Sequence, residues 1–301
     1  MNILLIGADQ NNPTDGVIVK GIKNLLSKAF KTHTHDYLFL NDHKPMENNE
    51  LYLNNKYDIL IVCGTPWLWD SFQESQKYKN LLNIFELHKD SKKLFMGIGT
   101  CMNLGDINSK ILRRTREIEG MHKLFGRHKI ITRDHLANEL LINANIENEL
   151  LPCPAYFAYD NNEKTSRFNN IMIWCDPQKT ISKDDWKDKN KLNEYYNQYL
   201  EFYKKYKPEV YCAFSEEILK AVEIGLPEPK VLKSWEETLE IMKNADKVIS
   251  GRVHCAVPAI SRNADVKLTA LDTRSYVVED FRYNLNLEET EREYIRILNE
   301  I

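Results

Sequence analysis

The chain has 301 residues, 43% of them hydrophobic and 28% charged, with a formal net charge of −3. That length suits about two domains, and the composition is that of a globular protein able to fill a core. The near-neutral charge argues against a strongly basic surface and so against nucleic acid as a partner, and no apolar run approaches the roughly 20 residues of a membrane span.

The opening stretch, Met1 to Gly7, lacks the length and the basic start of a signal peptide and reads as a first strand. The cysteines at Cys63, Cys101, Cys153, Cys175, Cys212 and Cys255 are scattered, several in apolar runs. With no paired C-x-x-C spacing, they read as buried, reduced thiols of a cytoplasmic protein, and no metal site is expected.

Strand-like and helix-like runs alternate along the chain. Ile3 to Gly7 is followed by a polar loop at Asp9 to Gly16. Apolar residues at helical spacing follow from Val17 to Phe30. Further strands are expected at Asp36 to Leu40, Tyr57 to Gly64, Lys93 to Ile98 and Lys129 to Thr132, with helices at Lys110 to Leu124 and His135 to Ala144. Asn161 to Asn169 is polar and reads as a linker between an N-terminal domain (1–160) and a C-terminal domain (161–301).

The second half repeats the grammar. Strands are expected at Asn170 to Cys175, Glu209 to Phe214, Lys230 to Leu232, Lys247 to Ile249 and Lys267 to Leu271. Helices are expected at Leu192 to Tyr206, Glu216 to Ile224, Glu236 to Asn244 and Arg252 to Ser261. Ser234 and Glu237 form a capping-box pattern. The tail from Leu287 to Ile301 is an amphipathic helix that would cross back to the first domain. Such alternation predicts α/β architecture: two Rossmann-like domains with parallel sheets, facing across a cleft. Ligands of these sheets bind at the carboxyl ends of the strands, so chemistry is sought just after each strand.

The strongest candidate is Ser250-Gly251-Arg252-Val253-His254. A strand ends, the chain turns, and a helix begins with Arg252 and His254 expected in its first turn. The unpaired N–H groups and positive dipole end there suit an anion. An arginine at that end works against the dipole, which an anion would offset. His254 adds a titratable imidazole, the sole histidine of the second half. Arg133 follows another strand, with Asp134 as a helix N-cap, and is placed to grip the same anion by forked hydrogen bonds. Arg274, in Asp272-Thr273-Arg274, would add positive potential or make a plain salt bridge. Trp67 and Trp69 follow the strand that ends at Gly64. Their rings suit either stacking on a sugar or packing in a core. Gly97-Ile98-Gly99 marks a close backbone approach without forming a dinucleotide fingerprint.

Val248-Ile249-Ser250-Gly251-Arg252-Val253-His254, with Ala256, Ala259 and the later Asp272-Thr273-Arg274, resembles the S-x-R-hydrophobic-H block and downstream D-x-R of the polysaccharide pyruvyl transferase family. Thr132-Arg133-Asp134 and Leu151-Pro152-Cys153-Pro154-Ala155 resemble two further segments of that family. The resemblance implies a two-domain fold like that of the GT-B glycosyltransferases, with phosphoenolpyruvate as donor and no cofactor. The enolpyruvyl group would become a ketal on a sugar. Arg133 and Arg252 would hold the donor, with Ser250, Gly251, Val253 and Arg274 around it, and His254 would be the acid/base. The family's N-x-G-D and glycine-rich turns are replaced here by Asp15-Gly16 and Gly64-Thr65-Pro66. Asp15, Trp67 and Trp69 would therefore face a carbohydrate acceptor, which if lipid-linked would bring the protein to a membrane surface. Two rival functions stay open: a glycosyltransferase using a nucleotide sugar, and a non-catalytic module that binds an anionic metabolite or glycan.

Overall fold

A computed structural model describes residues 1–7, 12–40, 55–69, 71–102, 115–159, 169–177, 189–269, 272–281 and 285–301. The expected linker, apart from its last residue, lies outside these. The first half contains β1 (Asn2–Gly7), α1 (Asp15–Ala29), β2 (Thr34–Phe39), β3 (Ile59–Cys63), β4 (Pro66–Leu68), α2 (Gln76–Leu87) and β5 (Lys92–Thr100). It continues through α3 (Thr115–Phe125), β6 (Lys129–Thr132), α4 (His135–Asn143) and β7 (Glu149–Leu150). The strands pair in parallel in the order β2-β1-β3-β5-β6-β7, with β4 against β5.

The second half holds β8 (Asn169–Trp174), α5 (Lys189–Tyr206), β9 (Glu209–Cys212), α6 (Ile218–Glu223), β10 (Lys230–Val231) and α7 (Trp235–Lys243). After these come β11 (Ala245–Ser250), α8 (Val253–Ser261), β12 (Asp265–Leu268), α9 (Tyr276–Glu279) and α10 (Leu287–Glu300). Its sheet is parallel too, in the order β10-β9-β8-β11-β12. Among the described residues no helix is long and apolar enough to cross a membrane.

The strands read as unbroken apolar runs because both faces are covered. In β1, Ile3 and Leu5 enter one core cluster while Leu4 and Ile6 enter another, as the two-residue period of a strand requires. In β8, Ile171 and Ile173 divide from Met172 and Trp174 in the same way.

α1 packs between the halves. α1 buries Val17, Ile18, Ile22, Leu25 and Leu26 in a core that also holds Leu239, Val253, Val257 and the α10 residues Tyr294, Ile297 and Leu298. Two glycines let it approach so closely. A Cβ on Gly16 would lie 2.3 Å from the Trp235 ring, and one on Gly21 would lie 2.0 Å from the carbonyl oxygen of Pro154. Hydrogen bonds cross the same junction: Tyr159 donates to the Leu239 carbonyl at 2.6 Å and Tyr294 to that of Pro152 at 2.8 Å.

Several elements escaped the sequence reading. α2 is capped by Ser75, whose Oγ accepts from Tyr78 N at 3.1 Å, and its apolar residues Tyr78, Leu81, Leu82 and Phe85 do repeat at helical spacing, although no helix was expected there. β4 begins at the last residue of the turn Gly64-Thr65-Pro66, where no strand was expected. β12 begins two residues before the expected strand, at Asp265. Ser234 does cap α7 by accepting from Glu237 N, while the Glu237 carboxylate reaches back to Lys233 N at 2.6 Å.

The rigid seat of α1 is testable. Gly21→Ala forces a methyl into a backbone carbonyl that cannot rotate away, and overpacking of this kind costs about 1–3 kcal/mol. Urea unfolding of the variant is expected to show a loss in that range. A change within about 0.5 kcal/mol, typical of a neutral surface site, contradicts the packing described.

Candidate active site

The Ser250 turn is held by its own backbone. Ser250 Oγ accepts from Arg252 N at 3.0 Å and donates to Arg252 O at 2.8 Å. Gly251 N donates to Ile173 O at 3.1 Å. Only glycine fits there, because a Cβ would sit 2.5 Å from Cys175 Cβ and 3.0 Å from the hydroxyls of Tyr195 and Tyr199. The helix starts one residue later than expected. Arg252 is the N-cap, with extended backbone (φ −115°, ψ 117°), and Val253 is the first helical residue.

Arg252 also has a partner that sequence reasoning missed. Its Nη2 donates to Glu217 Oε1 at 2.6 Å, and its guanidinium stacks 5.0 Å from the centre of the Phe214 ring. Glu217 is 1% exposed and accepts three backbone N–H groups besides, from Asp176, Ala213 and Phe214 at 3.1–3.2 Å. A carboxylate, rather than a ligand alone, therefore offsets this cation. The only sequence signal was an acidic residue just after a strand end, which also fits an ordinary helix start.

Arg274 behaves likewise. It makes a forked ion pair with Asp272, with Nε 2.7 Å from Oδ1 and Nη2 2.5 Å from Oδ2. The adjacent Thr273 ties this segment to the end of β5, through Thr273 N to Met102 O at 2.9 Å and Met102 N to Thr273 Oγ1 at 3.0 Å.

Arg133 differs. It is 1% exposed, and among the described residues no carboxylate lies within ion-pair distance. Its Nη1 lies 2.9 Å from His254 Nε2 and 4.0 Å from Cys153 Sγ, and its Nε is buried without a hydrogen-bond partner among the described residues. Gly99 makes room for it, since a Cβ there would lie 2.7 Å from Arg133 Nε and 2.5 Å from Asp134 Oδ2. The close approach expected at Gly97 to Gly99 is thus made by these side chains, and by the Pro154 ring, 2.4 Å from a Cβ on Gly97. Asp134 caps α4 by accepting from Ala137 N at 2.8 Å and from Thr100 N at 2.9 Å.

Asp15, expected toward an acceptor, contacts the imidazole. It opens α1, is 9% exposed, and its Oδ1 lies 3.2 Å from His254 Nδ1. The tautomer of His254 follows. A guanidinium can only donate, so Nε2 accepts from Arg133 and Nδ1 carries the proton that it donates to Asp15. Burial holds the His254 pKa below its usual 6.5; the bond to Asp15 works against this, and the charges of Arg133 and Arg274 add to it. The imidazole is therefore neutral near pH 7. Burial also pushes the thiols of Cys101 to about 12 and Cys175 to about 11, so neither is a ready nucleophile.

Trp67 is corrected by the structure. It is 1% exposed, packed in the core on the α2–α3 side of the first sheet, and Lys77 Nζ covers its ring at 4.5 Å. It offers no open face to a sugar. Trp69 is half-buried, with the same lysine 5.7 Å from its ring centre.

The sequence profile of the polysaccharide pyruvyl transferase family matches residues 13–263. Against curated proteins the sequence has no significant match. Among solved structures the fold is similar to that of a UDP-N-acetylglucosamine 2-epimerase, described as putative, from Listeria monocytogenes (TM-score 0.54, 10% identity, covering 98% of this chain and 90% of that one). It is also similar to S. aureus MnaA in complex with UDP (TM-score 0.53, 10% identity, 97% and 90%). A third is the UDP-GlcNAc 2-epimerase of Methanocaldococcus jannaschii (TM-score 0.52, 11% identity, 100% and 93%). These likenesses establish the two-domain, GT-B-like fold.

Glu217→Gln keeps the shape of the Arg252 contact but removes its charge. Breaking a buried ion pair by losing one partner typically costs about 3–5 kcal/mol, so chemical denaturation is expected to show a loss of about 3 kcal/mol. A change below about 1 kcal/mol, the value of an exposed pair, would mean that Arg252 is not held as described.

Proposed function

The chain belongs to the polysaccharide pyruvyl transferase family, a family of transferases, and from that membership we propose that it transfers the enolpyruvyl group of phosphoenolpyruvate to a sugar of a surface polysaccharide or its precursor, as a ketal. The observation that carries the choice of an anionic donor is Arg133: a guanidinium 1% exposed, without a carboxylate partner among the described residues, set against His254 Nε2 at 2.9 Å. A buried cation in that state favours an anion strongly, and phosphoenolpyruvate brings a phosphate and a carboxylate.

In the proposed reaction Arg133 and Arg252 hold the two anionic groups, with Arg274 adding positive potential and the Ser250-Gly251 turn and Val253 shaping the pocket. His254 moves the proton. The oxygen of an acceptor hydroxyl bonds to C2 of the donor while C3 gains a proton and becomes a methyl group. A second hydroxyl oxygen then replaces phosphate at C2 and closes the ketal, and its proton leaves with the phosphate. Fixed cations beside the departing phosphate stabilise the charge that develops there, and a placed proton donor serves the methylene carbon. The reaction as written needs no cofactor. Trp69, half-buried with Lys77 over its ring, is the remaining candidate for the acceptor side. The donor is a cytoplasmic metabolite, so the enzyme works in the cytoplasm, and a lipid-linked acceptor would draw it to the membrane surface.

Calorimetry with phosphoenolpyruvate is expected to show binding that Arg133→Ala weakens about 10- to 100-fold, the value of one or two charged hydrogen bonds. UDP is expected not to compete. His254→Ala is expected to bind the donor yet lose transfer by at least about 100-fold. No binding of phosphoenolpyruvate to the wild type, or UDP binding in its place, contradicts the reading and favours a nucleotide-sugar enzyme.

A further inference from the structure

His254 as it stands can neither give nor take a proton. Its imidazole is 8% exposed, and each ring nitrogen faces a side chain from the other half of the chain: Nδ1 faces Asp15 and Nε2 faces Arg133. A catalytic histidine in this state must release one of the two contacts first.

The surroundings decide which. Asp15 stands on the first residue of α1, a helix fixed by the Gly16–Trp235 and Gly21–Pro154 contacts. Arg133 stands between a strand and a helix, with its Nε unpaired and no carboxylate to leave among the described residues. Shifting Arg133 onto an anion supplies its missing counter-charge, whereas shifting Asp15 would disturb the junction of the two halves. The charges facing His254 from each side agree. Arg252, on its own segment, is paired with Glu217, and Arg274, after β12, is paired with Asp272. Among the described residues that leaves the Asp15 carboxylate on α1 and the Arg133 cation after β6, beside the neutral thiol of Cys153.

Resting on the function proposed above, we propose that Asp15 is a positioning residue that holds the His254 proton on Nδ1, and that Arg133 keeps Nε2 closed until the donor's anionic groups draw the guanidinium away. Once Arg133 has moved, Nε2 takes a proton from solvent and the imidazolium stays anchored to the Asp15 carboxylate. Nε2 then passes its proton to C3 of the enol, the acceptor hydroxyl oxygen bonds to C2, and that hydroxyl's proton returns to Nε2. The acid is thus armed only when donor is bound. Without donor the site holds a neutral base already capped by a cation.

The test reads the ring nitrogens directly. Nitrogen-15 NMR of histidine-labelled protein, with His254 assigned by its loss in His254→Gln, is expected to show a protonated Nδ1 and a bare Nε2 in the free protein near neutral pH. A protonated Nε2 in the free protein overturns the proposal, whatever the donor turns out to be. Saturating phosphoenolpyruvate is expected to protonate both nitrogens, and a bare Nε2 in that complex also overturns it. Absence of any phosphoenolpyruvate binding instead defeats the function reading, and the free-protein spectrum still reports on Asp15. Asp15→Asn is expected to give a mixed tautomer signal and a kcat lowered roughly 10- to 100-fold, the lower range for losing aid to proton transfer. The KM for phosphoenolpyruvate should stay within about threefold, and Asp15→Glu should recover part of kcat. An unchanged tautomer and kcat in Asp15→Asn, or a change in the acceptor KM alone, returns Asp15 to the acceptor side and overturns the assignment.

Discussion

Three guanidinium groups, those of Arg133, Arg252 and Arg274, lie beyond the carboxyl ends of two parallel sheets; Arg133 is fully buried and the other two are half-buried, so each gains from a partner. Two of them have one. Glu217, itself held by three backbone N–H groups, answers Arg252, and Asp272 answers Arg274. Arg133 leans on an imidazole instead. This imbalance sets the state of His254, because an arginine that can only donate forces Nε2 to accept and leaves the proton on Nδ1, facing Asp15. Among the described residues, then, the cation that lacks a carboxylate is the one beside the titratable group.

The fold supplies the placement. Each half delivers side chains at the same edge of its sheet, as parallel βα units do. α1 does more than cover a face. Its first residue reaches the imidazole, and its glycines let it pack against Trp235 of the second half and Pro154 of the first. The final helix, through Tyr294, Ile297 and Leu298, adds to the same core. The distances at His254 therefore depend on a junction whose packing leaves little room for adjustment.

Much of this was legible in the sequence. Buried parallel strands leave long apolar runs, so the order of strands and the residues just after them could be read directly. Arg133, Ser250, Arg252 and His254 were picked out in this way, and the structure brings Arg133 and His254 within 2.9 Å; the resemblance to a pyruvyl transferase block agrees with the family profile over residues 13–263. What stayed hidden depends on contacts distant in sequence. Nothing local says that Glu217 meets Arg252, 35 residues away, or that Asp15 meets His254, 239 residues away. Trp67 was misread for a related reason. A tryptophan after a strand end suits a sugar or a core equally well, and only the packing of Lys77 over its ring decides for the core. α2 was passed over although Tyr78, Leu81, Leu82 and Phe85 carry a helical period that could have been read.

Arming His254 in this way requires Arg133 to move from the imidazole to the donor. A crystal structure of the protein with phosphoenolpyruvate bound tests this most directly. The guanidinium of Arg133 is expected to contact the donor's anionic oxygens, with His254 Nε2 facing the donor's C3 and His254 Nδ1 still on Asp15. A donor bound elsewhere, or one bound here while Arg133 stays on Nε2, would contradict it.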